Sequence, residues 1–522
     1  MTYLTVPITG ENLPQAIKQA SRACEKSAQM LELRTDFLKN LTPDLVQQLI
    51  ESLRKEISPS IPLIITCRDE KQGGKNGYPE QLRLNVLETA IISDAEFVDC
   101  EYDNYCKNIF KERIDQALTK AGKCRLILSA HNFQSKFENL QDLTENIKKC
   151  GKNIIPKLVY QAQHINDCFE GFDLLLENSN TDIILLCMGK AGVISRILAG
   201  KFGAMVSFAS LDNQTASAPG QLTIDELRKI YCFEAINRET EIYGIIASPV
   251  GHSMSPLVHN SCFENAKINS VYLPFLVEGS HQQFDLFMDN VLQRDSLGFS
   301  GFSVTIPHKQ NALEYVKSKS GEIENLTCKI GVTNTLIISK ENVLFAYNTD
   351  YSGAISAIMD GMGIDKSGFE DMKVSVLGAG GVARAIVAGL TDSNAEVKIY
   401  NRTVKKAEKL AKEFGCEFAP LDKLAQIDAD LVINCTSLGM SPNIDTTALP
   451  AEYIKSSMTV FDTVYNPLET LLLKNARKKG AKTIDGLTMF VNQAAEQFEL
   501  FTDKKADKEF MRKLVFDCLK NN

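Results

Sequence analysis

Apolar residues in the first half of this chain fall into two alternating rhythms. Runs of six to nine residues, YLTVPIT, MLELRT, PLIITCR, AEFVDCE, CRLILSAHN, IIPKLVYQA, TDIILLCMG and AMVSFAS, read as strands. Longer amphipathic stretches such as LPQAIKQASRACEKSAQM separate them and read as helices. Eight strand runs alternating with helices within residues 1–235 predict a (β/α)8 TIM barrel, a fold that takes about 250 residues. The stretch LTIDELRKIYCFEAINRETE then predicts a closing helix and a short polar connection. From about residue 240 the alternation resumes with EIYGIIASP, and further on the strand KVSVL runs through a Gly-rich turn into the helical ARAIVAGL. That pattern predicts a second α/β half containing a Rossmann-type domain.

Length and charge narrow the function classes. At 522 residues, with 44% apolar content, the chain has material for two to four cores at roughly 100–200 residues per domain. A formal net charge of −8 argues against nucleic acid or a membrane surface as partner, since such binders present basic stripes. Fourteen cysteines are scattered singly without CxxC spacing, as expected of reduced thiols in a cytoplasmic protein. The opening MTYLTVPITG passes straight into a strand run, leaving no room for a signal or transit segment, and no apolar run reaches membrane-spanning length. No His, Cys or carboxylate cluster has the spacing of a metal site, so none is expected.

In a (β/α)8 barrel the chemistry gathers at the C-terminal ends of the strands. The unusual polar residues of the first half sit at those ends: Glu32 and Arg34, Arg68, His131, Lys157, then Arg196 after the seventh run, with Ser217 and Gln221 after the eighth. Lys157 interrupts the apolar run IIPKLVY, and an amine there can attack a ketone to form an iminium. His131, one strand earlier, suits a general base and acid near neutral pH, and three arginines match an anionic substrate. The competing readings are structural: a snorkelling or carboxylate-paired lysine and a surface-loop histidine.

The second half repeats the theme. Ser253 and Ser255 precede a helical run and by themselves would serve as helix caps. GFSVTIPHK carries Thr305 and Lys309, GVTNTL carries Asn334, and AYNTD ends in Asp350. A lysine and a carboxylate on separate loop ends can share a proton with a substrate hydroxyl as it becomes a ketone, and a surface ion pair is the plainer alternative. Gly378, Ala379, Gly380, Gly381, Val382 and Ala383 fit GxGxxA between a strand and a helix, the seat of a dinucleotide pyrophosphate. About 20 residues on, the next strand ends in Asn401, Arg402 and Thr403, with Lys406 nearby. An acidic residue there would suit NAD, whereas Arg402 and Lys406 suit the 2′-phosphate of NADP.

ELRTD, TCR, SAHNF, IPKLV, MGKAGVISR and SAPGQ, in this order, resemble type I 3-dehydroquinate dehydratase over residues 1–235. The resemblance implies Lys157 as Schiff-base nucleophile and His131 as acid/base. It further implies Glu32, Arg34, Arg68, Arg196, Ser217 and Gln221 as substrate ligands. One position departs: many members have Glu-Gly-Gly where this chain has Gln72-Gly73-Gly74, which removes a charge that could orient or tune the histidine. From about residue 240 onward the motifs above, continued by INCTSLGM, DTVYNPLET and DGLTMFVNQAAEQF, resemble shikimate dehydrogenase. This implies Lys309 and Asp350 as the catalytic pair. Ser253, Ser255, Thr305, Asn334, Tyr465 and Gln493 would hold the substrate, and Thr436, Thr463 and Gly486 would lie near the cofactor. The implied domains are 1–235, then 240–352 completed by 485–522, and 365–484. Together they predict a two-step enzyme turning 3-dehydroquinate into 3-dehydroshikimate and then, with NADPH, into shikimate. A dehydrogenase carrying a decayed barrel as a binding module is the alternative.

Overall fold

A computed structural model describes residues 2–93, 95–214, 220–251 and 253–520. The eight expected strands form: β1 (Tyr3–Ile8), β2 (Met30–Arg34), β3 (Leu63–Thr66), β4 (Phe97–Glu101), β5 (Arg125–Asn132), β6 (Ile154–Gln161), β7 (Ile184–Met188) and β8 (Val206–Phe208). All pair in parallel in the order β7-β6-β5-β4-β3-β2-β1-β8. The remaining gap is narrowed where Met205 N, just before β8, donates to Ile183 O, just before β7, at 2.8 Å. The result is a nearly closed barrel. Several of its helices are started by side-chain caps, as where Asn12 accepts from Gln15 N at 3.1 Å and Thr42 from Leu45 N at 3.1 Å, while others, such as Glu80–Ile92 after Pro79, have none.

Two more sheets follow. β9 (Glu241–Ala247), β10 (Ser270–Leu276), β11 (Phe299–Val304), β12 (Glu322–Ile323), β13 (Thr335–Ile338) and β14 (Leu344–Tyr347) make a mixed sheet in the order β10-β9-β11-β13-β14-β12. β15 (Lys373–Leu377), β16 (Glu396–Asn401), β17 (Glu417–Pro420), β18 (Leu431–Asn434), β19 (Thr459–Asp462) and β20 (Lys482–Ile484) make an all-parallel sheet, β17-β16-β15-β18-β19-β20. Counted from its own first strand that order is 3-2-1-4-5-6, the doubly wound arrangement, whose ligand crevice opens at the switch between the first and fourth strands. Its strands are continuous apolar runs because helices cover both faces.

The chain divides into two compact units. The first comprises residues 1–241 with 269–278 and 286–298; the second comprises 242–268, 279–285 and 299–522. Segments C-terminal to the barrel strands therefore belong to the first unit's packing: Arg294 Nε donates to Asp173 Oδ2 at 2.8 Å, and the Phe287 ring lies 6.0 Å from Phe169 and 5.6 Å from Phe275. In the second unit the helix Thr349–Met362 lies close against the helix Gly486–Thr502; a Cβ added at Gly353 would stand 3.0 Å from that of Gln493.

Candidate active sites

The barrel interior follows the two-residue period of its strands. Met30, Ile64, Phe97, Ile127, Ile155, Ile184 and Val206, one from each of β2 to β8, cluster as an apolar floor. Two residues further along stand Glu32, Thr66, Asp99, Ser129, Lys157, Leu186 and Phe208, and two further again Arg34, Arg68, Glu101, His131, Val159 and Met188. The alternation thus stacks a charged layer on an apolar one.

That layer is wired by ion pairs. Lys157, 4% exposed, donates from Nζ to Asp99 Oδ2 at 2.7 Å and Glu32 Oε1 at 3.2 Å, and its Nζ lies 4.8 Å from the Phe208 ring centre. Arg68 donates to Asp99 Oδ2 at 2.7 Å, Glu101 Oε1 at 3.0 Å and Ser129 Oγ at 2.6 Å. Burial opposes both charges of the Arg68–Asp99 pair. At Arg68 the carboxylates of Asp99 and Glu101 outweigh burial and raise the pKa; at Asp99 the cations Arg68 and Lys157 outweigh it and hold the carboxyl well below the usual range. Arg34 meets Asp36 through two hydrogen bonds of 2.8 Å and gives another to Gly73 O at 3.2 Å.

Arg196, 2% exposed, is a different case. Its Nη1 donates to Cys187 O at 2.7 Å, its Nε has no partner, and no carboxylate pairs with it among the described residues. Burial pulls its pKa down to about 10, the Cys187 and Cys168 thiols opposing. A buried guanidinium with spare donors beside a pocket is a seat for an anion. His131 holds its Nδ1 3.0 Å from Gln72 Oε1 and stacks on Phe133. Burial, then the charges of Arg68 and Lys157, pushes its pKa well below the ordinary value against the pull of Asp99, so the imidazole is neutral at pH 7. Glu32, Arg34, Arg68, His131, Lys157, Arg196 and Gln221 surround one pocket of about 100 Å³. Ser217 lies outside the described residues.

The second unit holds a larger cleft, about 440 Å³, lined among others by Ser253, Ser255, Thr305, Lys309, Asn334, Asp350, Val382, Thr463, Tyr465, Gly486 and Gln493. Lys309 opens the helix Lys309–Ser318 and donates to Asp350 Oδ2 in a close buried pair. Asp350 sits in the first turn of Thr349–Met362, where the helix dipole favours a carboxylate. Asn334 is fixed from three sides: Nδ2 donates to Thr349 Oγ1 at 3.0 Å, while Oδ1 accepts from Thr349 N at 2.8 Å and Thr335 Oγ1 at 2.9 Å. One Nδ2–H remains for a ligand. Ser253 Oγ accepts from Ser255 N at 3.2 Å, so a cap-like bond and a cleft-facing position coexist. The Tyr465 ring packs tilted against Phe490, and burial raises its pKa against a backbone hydrogen bond, keeping the phenol neutral. Gln493 Nε2 donates to Phe490 O at 3.1 Å.

The Gly-rich turn fits a dinucleotide. Gly378 adopts φ +115°, and a Cβ there would stand 3.0 Å from Cys435 O. A Cβ at Gly380, ahead of the helix Gly381–Asp392, would meet nothing within 4 Å, so the helix N-terminus faces open space. A Cβ at Gly381 would stand 3.2 Å from Lys309 Cδ, which places this turn beside the lysine. Ala379 and Val382 pack partly buried on the sheet core. At the end of β16, Asn401 Nδ2 donates to Thr403 O at 2.9 Å, while Arg402, Thr403 and Lys406 are exposed. Thr436 Oγ1 donates to Asn434 Oδ1 at 2.7 Å and Thr463 Oγ1 to Asn434 O at 2.8 Å. Gly486 begins its helix where a Cβ would stand 2.5 Å from Val464 O.

Sequence reasoning missed Asp99, Glu101 and Ser129 in the barrel and Gln497 in the cleft. The signal for the two acids was present, because they sit two apart at the end of the apolar run AEFVDCE and so face the same side. Gln497, one helical turn beyond Gln493, accepts from Ser303 Oγ at 2.8 Å and donates to Thr335 Oγ1 at 3.1 Å.

Fold and sites together define a two-site α/β enzyme, one site built on a barrel lysine and the other on a Lys–Asp pair beside a dinucleotide turn. Comparison with known proteins agrees. The family model for type I 3-dehydroquinase matches residues 4–238, and those for the shikimate dehydrogenase substrate binding domain, shikimate/quinate 5-dehydrogenase and the shikimate 5′-dehydrogenase C-terminal domain match 245–336, 364–462 and 486–516. A chloroplastic bifunctional 3-dehydroquinate dehydratase/shikimate dehydrogenase of Arabidopsis thaliana is 36% identical over 524 residues, covering 97% of this chain and 83% of that protein. A shikimate dehydrogenase (NADP(+)) of Methanosarcina acetivorans is 39% identical over 289 residues, covering 53% of this chain and 98% of that one. A crystal structure of a shikimate dehydrogenase in complex with NADP+ is 38% identical with a TM-score of 0.49, covering 54% of this chain and 97% of that chain. The chain belongs to the bifunctional 3-dehydroquinate dehydratase/shikimate dehydrogenase family. No helix among the described residues is long and apolar enough to cross a membrane.

Proposed function

We propose that this chain dehydrates 3-dehydroquinate to 3-dehydroshikimate in the barrel and reduces that ketone to shikimate with NADPH in the second half. The observation that carries the reading is one chain holding Lys157 and His131 around one pocket and the Lys309–Asp350 pair around another. In the barrel, Lys157 Nζ gives up a proton, adds to the substrate ketone carbon and, with loss of water, leaves an iminium. Its positive charge acidifies the neighbouring C–H. Neutral His131 takes that proton and returns it to the departing β-hydroxyl as water, and hydrolysis frees Lys157 and the enone product. Arg196 holds the substrate carboxylate, while Glu32, Arg34, Arg68, Ser217 and Gln221 complete the set. Asp99 and Glu32 stabilise the cationic nitrogen through both states.

In the cleft, NADPH, when bound, would supply the hydride for reduction of the ketone. Lys309 donates the proton to the resulting oxygen and regains one from solvent, while Asp350 holds the amine in place and favours its charged form. Ser253, Ser255, Thr305, Asn334, Tyr465 and Gln493 orient the ring hydroxyls and carboxylate. Gly378 to Val382 would seat the pyrophosphate, Asn401 to Thr403 with Lys406 the adenosine phosphate, and Thr436, Thr463 and Gly486 the remainder of the cofactor. The domain division we adopt is 1–235, 240–352 with 485–522, and 365–484. A cytoplasmic location is part of this reading, supported by fourteen free cysteines; the Arabidopsis relative's name assigns that protein to the chloroplast. The test is a coupled assay with the purified chain, 3-dehydroquinate and NADPH, following enone absorbance and NADPH loss together. NADPH loss without added dehydratase is expected. Loss only when 3-dehydroshikimate is supplied would leave the barrel as a binding module.

A further inference from the structure

Gln72 stands where many dehydratases of this type carry glutamate, and the structure gives its amide a definite job. It ends the turn Glu70–Gln72, which is pinned on all sides: Asp69 accepts from Arg83 Nη2 at 2.7 Å and Asn104 Nδ2 at 3.2 Å, and Gly73 O accepts from Arg34. Gly73, at φ +85°, leaves room for the Phe133 ring, which a Cβ would approach to 2.9 Å. From this turn Gln72 reaches two groups. Its Nε2 donates to Asp103 Oδ2 at 3.4 Å, and its Oε1 lies 3.0 Å from His131 Nδ1.

The roles in this chain of contacts follow from what each group can do. An ionised carboxylate only accepts, so Asp103 draws the NH2 end of the Gln72 amide. That leaves Oε1, also only an acceptor, facing His131, so Nδ1 must carry the hydrogen. In a neutral imidazole the other nitrogen, Nε2, then keeps its lone pair. We propose that Gln72, oriented by Asp103, is a positioning residue that fixes His131 in the Nδ1–H tautomer and presents Nε2 as the ready base. This deepens the dehydratase reading and rests on it. The groups facing His131 are Arg68 on the β3 side, Lys157 on β6, Asp99 on β4 and Arg34 on β2, and the cations among them act with burial to keep the ring neutral. A glutamate at 72 would accept the same hydrogen bond but would also stabilise the imidazolium, so glutamine fixes the tautomer without raising the basicity.

The experiment uses the full chain labelled with [15N]histidine, read by long-range 1H–15N correlation at pH 7.5, with His131 assigned by the signal lost in His131→Asn. Wild type is expected to show protonated Nδ1 and bare Nε2. Gln72→Glu should keep that pattern, raise the His131 titration midpoint by about one unit or more, and move the acid limb of dehydratase kcat/KM upward with it. In Asp103→Asn the Gln72 amide is free to turn over. His131 should then show both tautomers, with kcat several-fold lower and KM little changed. An Nε2–H tautomer in wild type overturns the proposal, as does a Gln72→Leu variant with unchanged tautomer and pH profile. The spectrum does not depend on turnover. A chain that fails to dehydrate 3-dehydroquinate yet shows the expected tautomer refutes the dehydratase reading and leaves the positioning role standing.

Discussion

The two pockets solve the problem of holding a polar ligand in opposite ways. The barrel pocket, about 100 Å³, is walled, Arg196 apart, by charges that already neutralise one another: Arg34 with Asp36, Arg68 with Asp99 and Glu101, Lys157 with Glu32 and Asp99. The cleft of the second unit, about 440 Å³, brings one ion pair, Lys309–Asp350, among hydroxyls, amides and apolar walls such as Val382, Met489 and Phe490. The first geometry suits a reaction in which charge develops on the protein itself, since the iminium proposed on Lys157 would be met by carboxylates in place beforehand. The second suits two neutral-ringed partners laid side by side, where the charge that moves would belong to the ligands and a single Lys–Asp pair would handle the proton.

The largest expected effects separate the pockets outright. Lys157→Ala should lower dehydration by about 10⁴-fold or more and abolish the mass adduct that borohydride traps with substrate, because the covalent path is lost. Reduction of 3-dehydroshikimate should stay within about twofold, the site being in the other unit. Lys309→Ala should do the reverse, lowering dehydrogenase kcat by about 10²–10⁴-fold at unchanged dehydratase rate. Either substitution silencing both reactions would break the comparison.

The next effect is on folding and tests the claim that the barrel charges are prepaired. Arg68→Met strips two buried carboxylates of a cation, and breaking such a network costs about 3–5 kcal/mol. Denaturant unfolding followed by a barrel-specific probe should show the midpoint falling accordingly. A loss below about 1 kcal/mol would mean that the network is hydrated and the contrast with the cleft is smaller than drawn. Smaller again is Arg402→Ala, expected to raise KM for NADPH by roughly tenfold to a hundredfold while leaving NADH unaffected, the range of one to two charged hydrogen bonds. Equal effects on both cofactors would remove Arg402 from 2′-phosphate recognition.

Much of this was readable in the linear sequence, for one physical reason. Parallel strands buried on both faces read as apolar runs, so a polar residue inside or just after such a run stands out, as Lys157 and His131 do. What escaped was whatever depends on neighbours across strands. Asp99 carries the parity of an inward residue, but that it would serve Arg68 and Lys157 together follows from β4 lying next to β3 on one side and two strands from β6 on the other, with Lys157 reaching it past β5, a register no single strand encodes. Gln72 could be seen as a departure in charge, while its bond to His131 depends on how the turn after β3 folds over the mouth. Nor did the sequence show that residues 269–278 and 286–298 would pack in the barrel's unit, because Phe169, the aromatic partner of Phe287, is distant in the chain.

The smallest predicted effect is the one that discriminates best between paired and unpaired charge. Arg68 and Arg196 are both buried arginines of the same pocket, yet among the described residues only Arg68 has carboxylates. At Arg196 burial acts against the charge, and its pKa lies near 10 instead of 12.5. The unfolded chain therefore binds that proton more tightly, so the folded state gains stability as pH climbs above about 10, and at neutral pH the charge is a cost. Replacing it by Met, which fills similar volume, should raise stability by about 1–3 kcal/mol, the opposite sign to Arg68→Met. The same variant should lose substrate affinity by about tenfold or more in dehydratase KM, since Arg196 is the proposed seat for the substrate anion. Unfolding midpoints and KM measured on one preparation decide it: a destabilised Arg196→Met would mean that this guanidinium is held by contacts beyond Cys187 O, and the barrel pocket would then hold no unpaired charge for its ligand to answer.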